Sequence, residues 1–480
     1  MTQIIDAYLG LMALRQAGYR STATAIAELV DNSIEAKAKH INIIAISAPV
    51  QLKNRVSNQV QRIAVLDNGE GMPPHVLENC LSLGWGTRLV YSWINPGEVY
   101  KAHLNLDEIQ GSSLQELQPI EKAPLPDIVL DAFGGELGDT GTLVVWDYLD
   151  QMDLKRTETL LTRINKELCR IYRHFLDDCD VYGKKRYVKL HQLQQDNCKL
   201  ITTELKANDP LYILQPNNLP GFESENTNEI YDEPFVLDVP YIDGDETKHG
   251  KVEFRFTIAK PEVQNLGGGS DLGKHYRDNT GISFVRAGRE IDFGSFGFLD
   301  ASDARHRWWG AEIRFDPVLD ELFGVTNNKQ EVRAVRKIED EVLIGMAEEA
   351  EHGDHKAFLL VHLNKIISEQ ISGMMTIIKG RRAGERSKKA TRGSLAEKVN
   401  DQLKHVNDTH TESSAHAGQL TEEQKIAERV KSLLADNSTL NEEEARAEAI
   451  ETLDFRVDIL TDSWPGDLFL DRRPVANASV

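Results

Sequence analysis

The stretch AIAELVDNSIEAKAKH (Ala25–His40) repeats apolar side chains at helical spacing. At 3.6 residues per turn, Ile26, Leu29, Val30 and Ser33 share one face, and Glu28, Asp31, Asn32 and Glu35 share the other. The pattern predicts an amphipathic helix. Beyond it, INIIAIS (Ile41–Ser47) and RIAVLDN (Arg62–Asn68) are short apolar runs bounded by polar turns, the pattern of buried strands. MPPHVLENCLSL opens with prolines suited to a first helical turn and predicts a short helix. VYSWI, EVYKAHLNL and GTLVVWDYL (Gly141–Leu149) predict further strands. Helices and antiparallel strands in this order predict an α/β sandwich over residues 1–152, with helices packed on one face of a mixed sheet.

LKRTETLLTRINKELCRIYRHFL (Leu154–Leu176) is long, periodic and amphipathic, and its surroundings are read as a hinge to a second α/β domain over 153–378. That domain runs through KVEFRFTIAK, TGISFVRAGREID and WGAEIRFDP to the loop GVTNNKQEV (Gly324–Val332), with helices at Val332–Ala350 and Lys356–Ile378. From Lys379 the composition changes. Lys379–Arg392 holds seven basic residues against one acidic, and the region 379–480 reads as a basic linker followed by mostly helical sequence with capping-box starts, TEEQ and NEEE. The pieces FRVDIL and DLFLD find no obvious partners, which leaves open that the natural protein continues.

A chain of 480 residues exceeds what a single core usually serves. With 40% hydrophobic and 27% charged residues, no apolar run of membrane-spanning length and no signal-peptide pattern at the start, a cytoplasmic protein without a membrane segment is expected. Cys80, Cys169, Cys179 and Cys198 form no CxxC pair and no His-bearing cluster, so reduced thiols and no structural metal are expected. The net charge of −21 argues against a surface coated for nucleic acid, although a local basic groove is compatible with it.

The chemistry-bearing motif is LDNGEGM (Leu66–Met72), a strand running into D-x-G-x-G. A carboxylate at a strand end can accept hydrogen bonds from a planar base while glycines let the backbone come close. The same letters also make an ordinary turn.

Taken together and in order, ELVDNSIEA, DNGEGM and TGTLVVWDYLD resemble the GHKL ATPases, the group of gyrase B subunits, heat-shock chaperone ATPases, histidine kinases, MutL and MORC proteins. The resemblance implies a GHKL (Bergerat) ATP-binding domain, ATP and Mg²⁺ as ligands, and a role for each matching residue. Glu28 resembles the general base for the attacking water, and Asn32 the Mg²⁺ ligand. Asp67 is similar to the residue that reads the adenine amino group, with Gly69, Gly71 and Met72 around the base. Thr142 resembles the hydroxyl that assists that carboxylate. Asp31 is read either as a second polar contact near the phosphates or as a solvated or structural residue. Lys329, in TNNKQEV, resembles the transducer lysine that reaches the γ-phosphate.

One family feature is missing. The glycine-rich lid expected after the adenine motif does not appear, because SLGWGTRL runs directly into VYSWI. Either ATP is not caged in the usual way or residues are absent between Leu89 and Val90; the second is the working expectation. GGELGDTG (Gly134–Gly141) lies too late in the order to replace the lid. For the whole protein the resemblance implies an ATP-gated homodimeric clamp on or around DNA, MutL- or MORC-like, in a setting such as prokaryotic genome defence. Lys379–Arg392 is then either a duplex-DNA contact or a solvated linker. The rival class is a chaperone-type remodelling ATPase with protein partners.

Overall fold

The computed structural model describes residues 21–78, 87–104, 119–134, 137–147, 149, 152–177, 185–195, 199–219, 221–300, 302–325 and 330–388. The chain divides into two compact units, one of residues 1–227 with 285–292 and 326–331, the other of residues 228–284, 293–325 and 332–480.

The first unit begins with helix α1 (Thr22–Glu35), whose N-cap Ser21 forms a reciprocal capping box with Thr24. Then come β1 (His40–Leu52), β2 (Arg55–Asp67), the short α2 (Pro74–Leu77), β3 (Thr87–Trp93), β4 (Tyr100–Leu104) and β5 (Glu121–Lys122). These are followed by α3 (Asp127–Phe133), β6 (Gly141–Asp147), α4 (Thr157–Ile171), α5 (Arg173–Leu176), β7 (Tyr187–Gln194) and β8 (Leu200–Glu204). The eight strands form one mixed sheet in the order β5-β4-β3-β6-β2-β1-β7-β8. β1 pairs antiparallel with β2 and parallel with β7.

The helix expected from the apolar stripe forms, and Ile26 and Val30 are fully buried among Ile41, Ile43, Val65, Leu160, Ile164 and Leu168. Burial of each such side chain contributes about 1.5–3 kcal/mol, which outweighs the weak helix propensity of the β-branched residues here. α1 and α4 therefore cover one face. The other face is covered too: Val129 and Phe133 of α3 pack on Ile44, Leu66, Leu143 and Val145. Helices thus lie on both faces, because alternate residues of β1 and β2 are apolar on each side.

Three differences from the sequence reading stand out. β1 and β2 are each 13 residues long; Pro49 in the outer part of β1 and the polar Ser57, Asn58, Gln59 and Gln61 in the outer part of β2 hid the strand continuation. α4, β7 and β8, placed by pattern beyond a hinge at 152, complete the first unit's helix layer and sheet. Leu89 and Val90 are consecutive in β3 and face Val145 and Val144 of β6 in unbroken register, so no segment is missing between them.

A six-stranded sheet with flanking helices follows, built from β9 (Asn228–Ile230), β10 (Phe235–Asp243), β11 (Glu246–Ala259), α6 (Pro261–Asn265), α7 (Asp271–Asp278), β12 (Ile282–Arg286), β13 (Arg289–Gly294) and β14 (Trp309–Phe315). All of it lies in the second unit except residues 285–292 of β12, β13 and their turn, which group with the first. FVRAGREI thus spans two strands, β12 and β13, and the turn between them. Ala287 and Gly288 both take positive φ, 48° and 82°, as a two-residue hairpin turn demands. Helices α8 (Asp320–Phe323), α9 (Asp340–Glu351) and α10 (His355–Lys388) follow. Residues 332–339 are not helical, and α10 continues ten residues past Ile378 into the basic run. No described helix is long and apolar enough to cross a membrane.

Candidate functional site

β2 ends at Asp67, which lies opposite Thr142 of β6 in the sheet register. The Asp67 carboxylate is buried and accepts the Gly69 backbone N–H at 2.9 Å and the Ser33 hydroxyl at 2.8 Å. A carboxylate offers about four lone-pair sites, so acceptor capacity remains for an outside donor such as an exocyclic amino group. Burial raises the carboxyl above its ordinary value, and its hydrogen bonds only partly oppose that.

The glycines serve the fold as much as any ligand. A Cβ on Gly69 would lie 2.8 Å from the Ala36 carbonyl oxygen, and one on Gly71, where φ is +70°, would lie 2.2 Å from that of Trp93. The space a side chain would need is filled by protein. Met72 donates its backbone N–H to the Ser92 hydroxyl at 2.7 Å, and the same hydroxyl donates to the Gly141 carbonyl at 3.1 Å and lies 3.3 Å from the Thr142 hydroxyl. Thr142 therefore neighbours Asp67 in the sheet, while its hydroxyl meets Ser92. Thr140 donates to the Gly69 carbonyl at 2.6 Å, so the end of Gly134–Gly141 is folded onto the D-x-G-x-G loop.

Ser33 joins this loop to α1. Its hydroxyl also donates to the Leu29 carbonyl at 3.0 Å. Asn32, the neighbouring residue, is exposed, and its side-chain amide makes no hydrogen bond among the described residues. Its oxygen is a hard neutral donor of the kind Mg²⁺ accepts, and a single such ligand fits an ion held mainly by phosphates. No described group of three His, Cys, Asp or Glu could hold a metal.

Glu28 lies one turn before Asn32, with its side chain 27% exposed. Asp31, expected on the polar face, is instead buried. It accepts the Tyr172 hydroxyl at 2.8 Å and pairs with Arg289 Nε at 2.7 Å, while Arg289 Nη2 lies 3.7 Å from Glu28 Oε1. Burial works against the Arg289 charge, yet Tyr172, Asp31 and Glu28 hold it above its ordinary range. Burial and the Asp31 charge likewise push the Tyr172 phenol well up. The adjacent Glu290 is bound by Arg170 at 2.7 Å and Arg173 at 2.8 Å.

The structure thus brings Asp67, Gly69, Gly71, Met72 and Thr142 together and ties them through Ser33 to the helix carrying Glu28 and Asn32. Lys329 lies outside the described residues, as do residues 79–86 of the lid approach and Cys80, Cys179 and Cys198. Cys169 is a buried free thiol, pushed up to about 12 by desolvation. Ser33, Ser92 and Arg289 are the participants that pattern reading passed over. Ser33 carried the one available signal, a hydroxyl in an otherwise apolar stripe.

Residues 19–91 match the family described as histidine kinase-, DNA gyrase B-, and HSP90-like ATPase. The match runs from α1 into β3. Among solved structures, the chain is similar to an N-terminal domain of a DNA repair protein, at 13% identity and a TM-score of 0.39, covering 75% of this chain and 98% of that one. It is also similar to the Aquifex aeolicus MutL ATPase domain complexed with ADP, at 12% identity and a TM-score of 0.30, covering 62% and 92%. No curated protein matches in sequence.

Proposed function

We propose that the chain binds ATP and hydrolyses it to ADP and phosphate. The observation that carries this reading is the Ser33–Asp67 hydrogen bond, which links a buried carboxylate with remaining acceptor capacity to the helix bearing Glu28 and Asn32. Asp67 takes the adenine amino group. Asn32 supplies the chain's ligand to Mg²⁺, which when bound would neutralise phosphate charge. Glu28 accepts the proton of the attacking water, as a carboxylate within one hydrogen bond of that water can. Lys329 is assigned to the γ-phosphate by resemblance, as a cation offsetting charge on the transferring group.

The larger reading is an ATP-gated homodimeric clamp on DNA, of the MutL or MORC kind. Its sequence support is the basic run Lys379–Arg392, part of which extends α10. One member of that run, Arg381, is already engaged with the Ala259 carbonyl and with Glu229 at 2.8 Å, so the remaining cations carry any contact with phosphates. The decisive experiment measures ATP turnover and oligomeric state with and without duplex DNA over a salt series. Wild-type turnover that DNA stimulates, with steep salt dependence, supports the clamp. Turnover indifferent to DNA moves the protein to the remodelling class, and absence of nucleotide binding overturns the whole reading.

A further inference from the structure

Two acidic residues of α1 share one guanidinium from a distant part of the sequence. Arg289 directs Nε to Asp31, with 2.9 Å to Oδ1 and 2.7 Å to Oδ2, and the same group's Nη2 lies 3.7 Å from Glu28 Oε1. Asp31 is in turn held by the Tyr172 hydroxyl, which also donates to the Ala27 carbonyl at 2.6 Å. Arg289 and Asp31 side chains are only 10% and 11% exposed. The guanidinium is a planar fork with five N–H donors, so one group can face both carboxylates.

We propose that Arg289 is a positioning residue for the general base, anchored by Asp31 and orienting the Glu28 carboxylate. The inference rests on the ATPase reading above. A glutamate has rotatable methylenes and by itself samples several orientations, whereas a general base needs one. A guanidinium fixed at Nε presents Nη2 at a constant place, and at 3.7 Å its pull on Glu28 is electrostatic, strong enough to bias the carboxylate without occupying it. Residues 285–292 pack with the first unit, and Arg289 follows immediately after the Ala287–Gly288 turn, so the guanidinium is set by a rigid hairpin end.

The test compares steady-state turnover, nucleotide affinity by calorimetry and thermal stability for wild type, Arg289→Ala, Arg289→Lys and Leu160→Ala. Leu160 is a fully buried core residue of the same unit, and its truncation serves as the control for lost stability alone. Arg289→Ala is expected to lower kcat by about 10–100-fold with nucleotide Kd within about threefold, and Arg289→Lys to recover part of the loss. Leu160→Ala should keep its turnover per folded molecule. In single-turnover assays, adding Arg289→Ala to Glu28→Ala should cost no further rate, since the two act as one unit.

Wild-type kcat in Arg289→Ala, an equal loss in Leu160→Ala, or a full further loss in the Glu28→Ala background each overturns the proposal. If Arg289→Ala does not fold, Arg289→Lys decides: a kcat drop of about threefold or more supports positioning by the fork, and wild-type kcat overturns it. Absence of turnover in the wild type overturns the ATPase reading and this one together, an outcome distinct from turnover that survives loss of Arg289.

Discussion

Ser33 donates a hydrogen bond to Asp67 at 2.8 Å, joining a helix side chain to a strand-end carboxylate 34 residues later. A bond to a buried charged acceptor is worth about 1.5–3 kcal/mol. Ser33→Ala is expected to lose stability in that range by denaturant unfolding and to weaken adenine-nucleotide affinity measured by calorimetry, because one of the two donors orienting Asp67 is gone.

Asp67 also sets a pH dependence. Its carboxyl is raised above the ordinary 3.8 by burial, so the folded state holds this proton to higher pH than the unfolded chain does. The group's own contribution to stability is therefore largest below 3.8 and declines as pH rises through its raised value. The wild type should lose stability relative to Asp67→Asn across that window in paired pH-resolved melts. Nucleotide binding should run the opposite way, weakening as pH falls into the same window, since only the ionised group has every oxygen lone pair open to donors.

His191 gives a second window. Its ring lies between Asn42 Oδ1 at 2.9 Å and the Thr202 hydroxyl at 3.0 Å, and burial, with Lys189 adding, lowers it to about 4. Lowered below 6.5, it lets the unfolded chain take up a proton first, so stability falls as pH drops from about 6.5 toward 4. Replacement by Gln, which cannot titrate, should flatten the unfolding free energy over that interval.

Glu290 tests the buried ion pairs. Removing one partner of such a group costs about 3–5 kcal/mol because the other charge stays buried. Glu290→Ala removes the 2.8 Å carboxylate partner of the fully buried Arg173, whose approach to the Asp209 carboxylate is longer, at 3.8 Å. A lowered unfolding midpoint of that size is expected, and Glu290→Gln should recover part of it.

Catalysis has its own signature. Glu28→Ala should reduce turnover by about 10²–10⁴-fold while nucleotide still binds, and Asn32→Ala should lose the Mg²⁺ dependence of nucleotide binding. Both are read by phosphate release alongside calorimetry with and without Mg²⁺.

What the chain determines by itself is local and periodic. The stripe Ile26, Leu29, Val30 specifies α1, and LDNGEGM specifies a strand that ends in a glycine loop, because helix and strand periods are set by backbone geometry over a few residues. The order of motifs also carries the resemblance to GHKL ATPases, from which the roles of Glu28, Asn32 and Asp67 are proposed. The tertiary structure decided the rest. Asp31, polar and seemingly exposed, is buried because Tyr172 and Arg289, 141 and 258 residues away, close over it. Ser33 sits in an apolar stripe yet bonds Asp67, since the sheet brings the strand end beneath the helix. The fate of a polar side chain depends on which partner the folded chain delivers, and no period in the sequence encodes that.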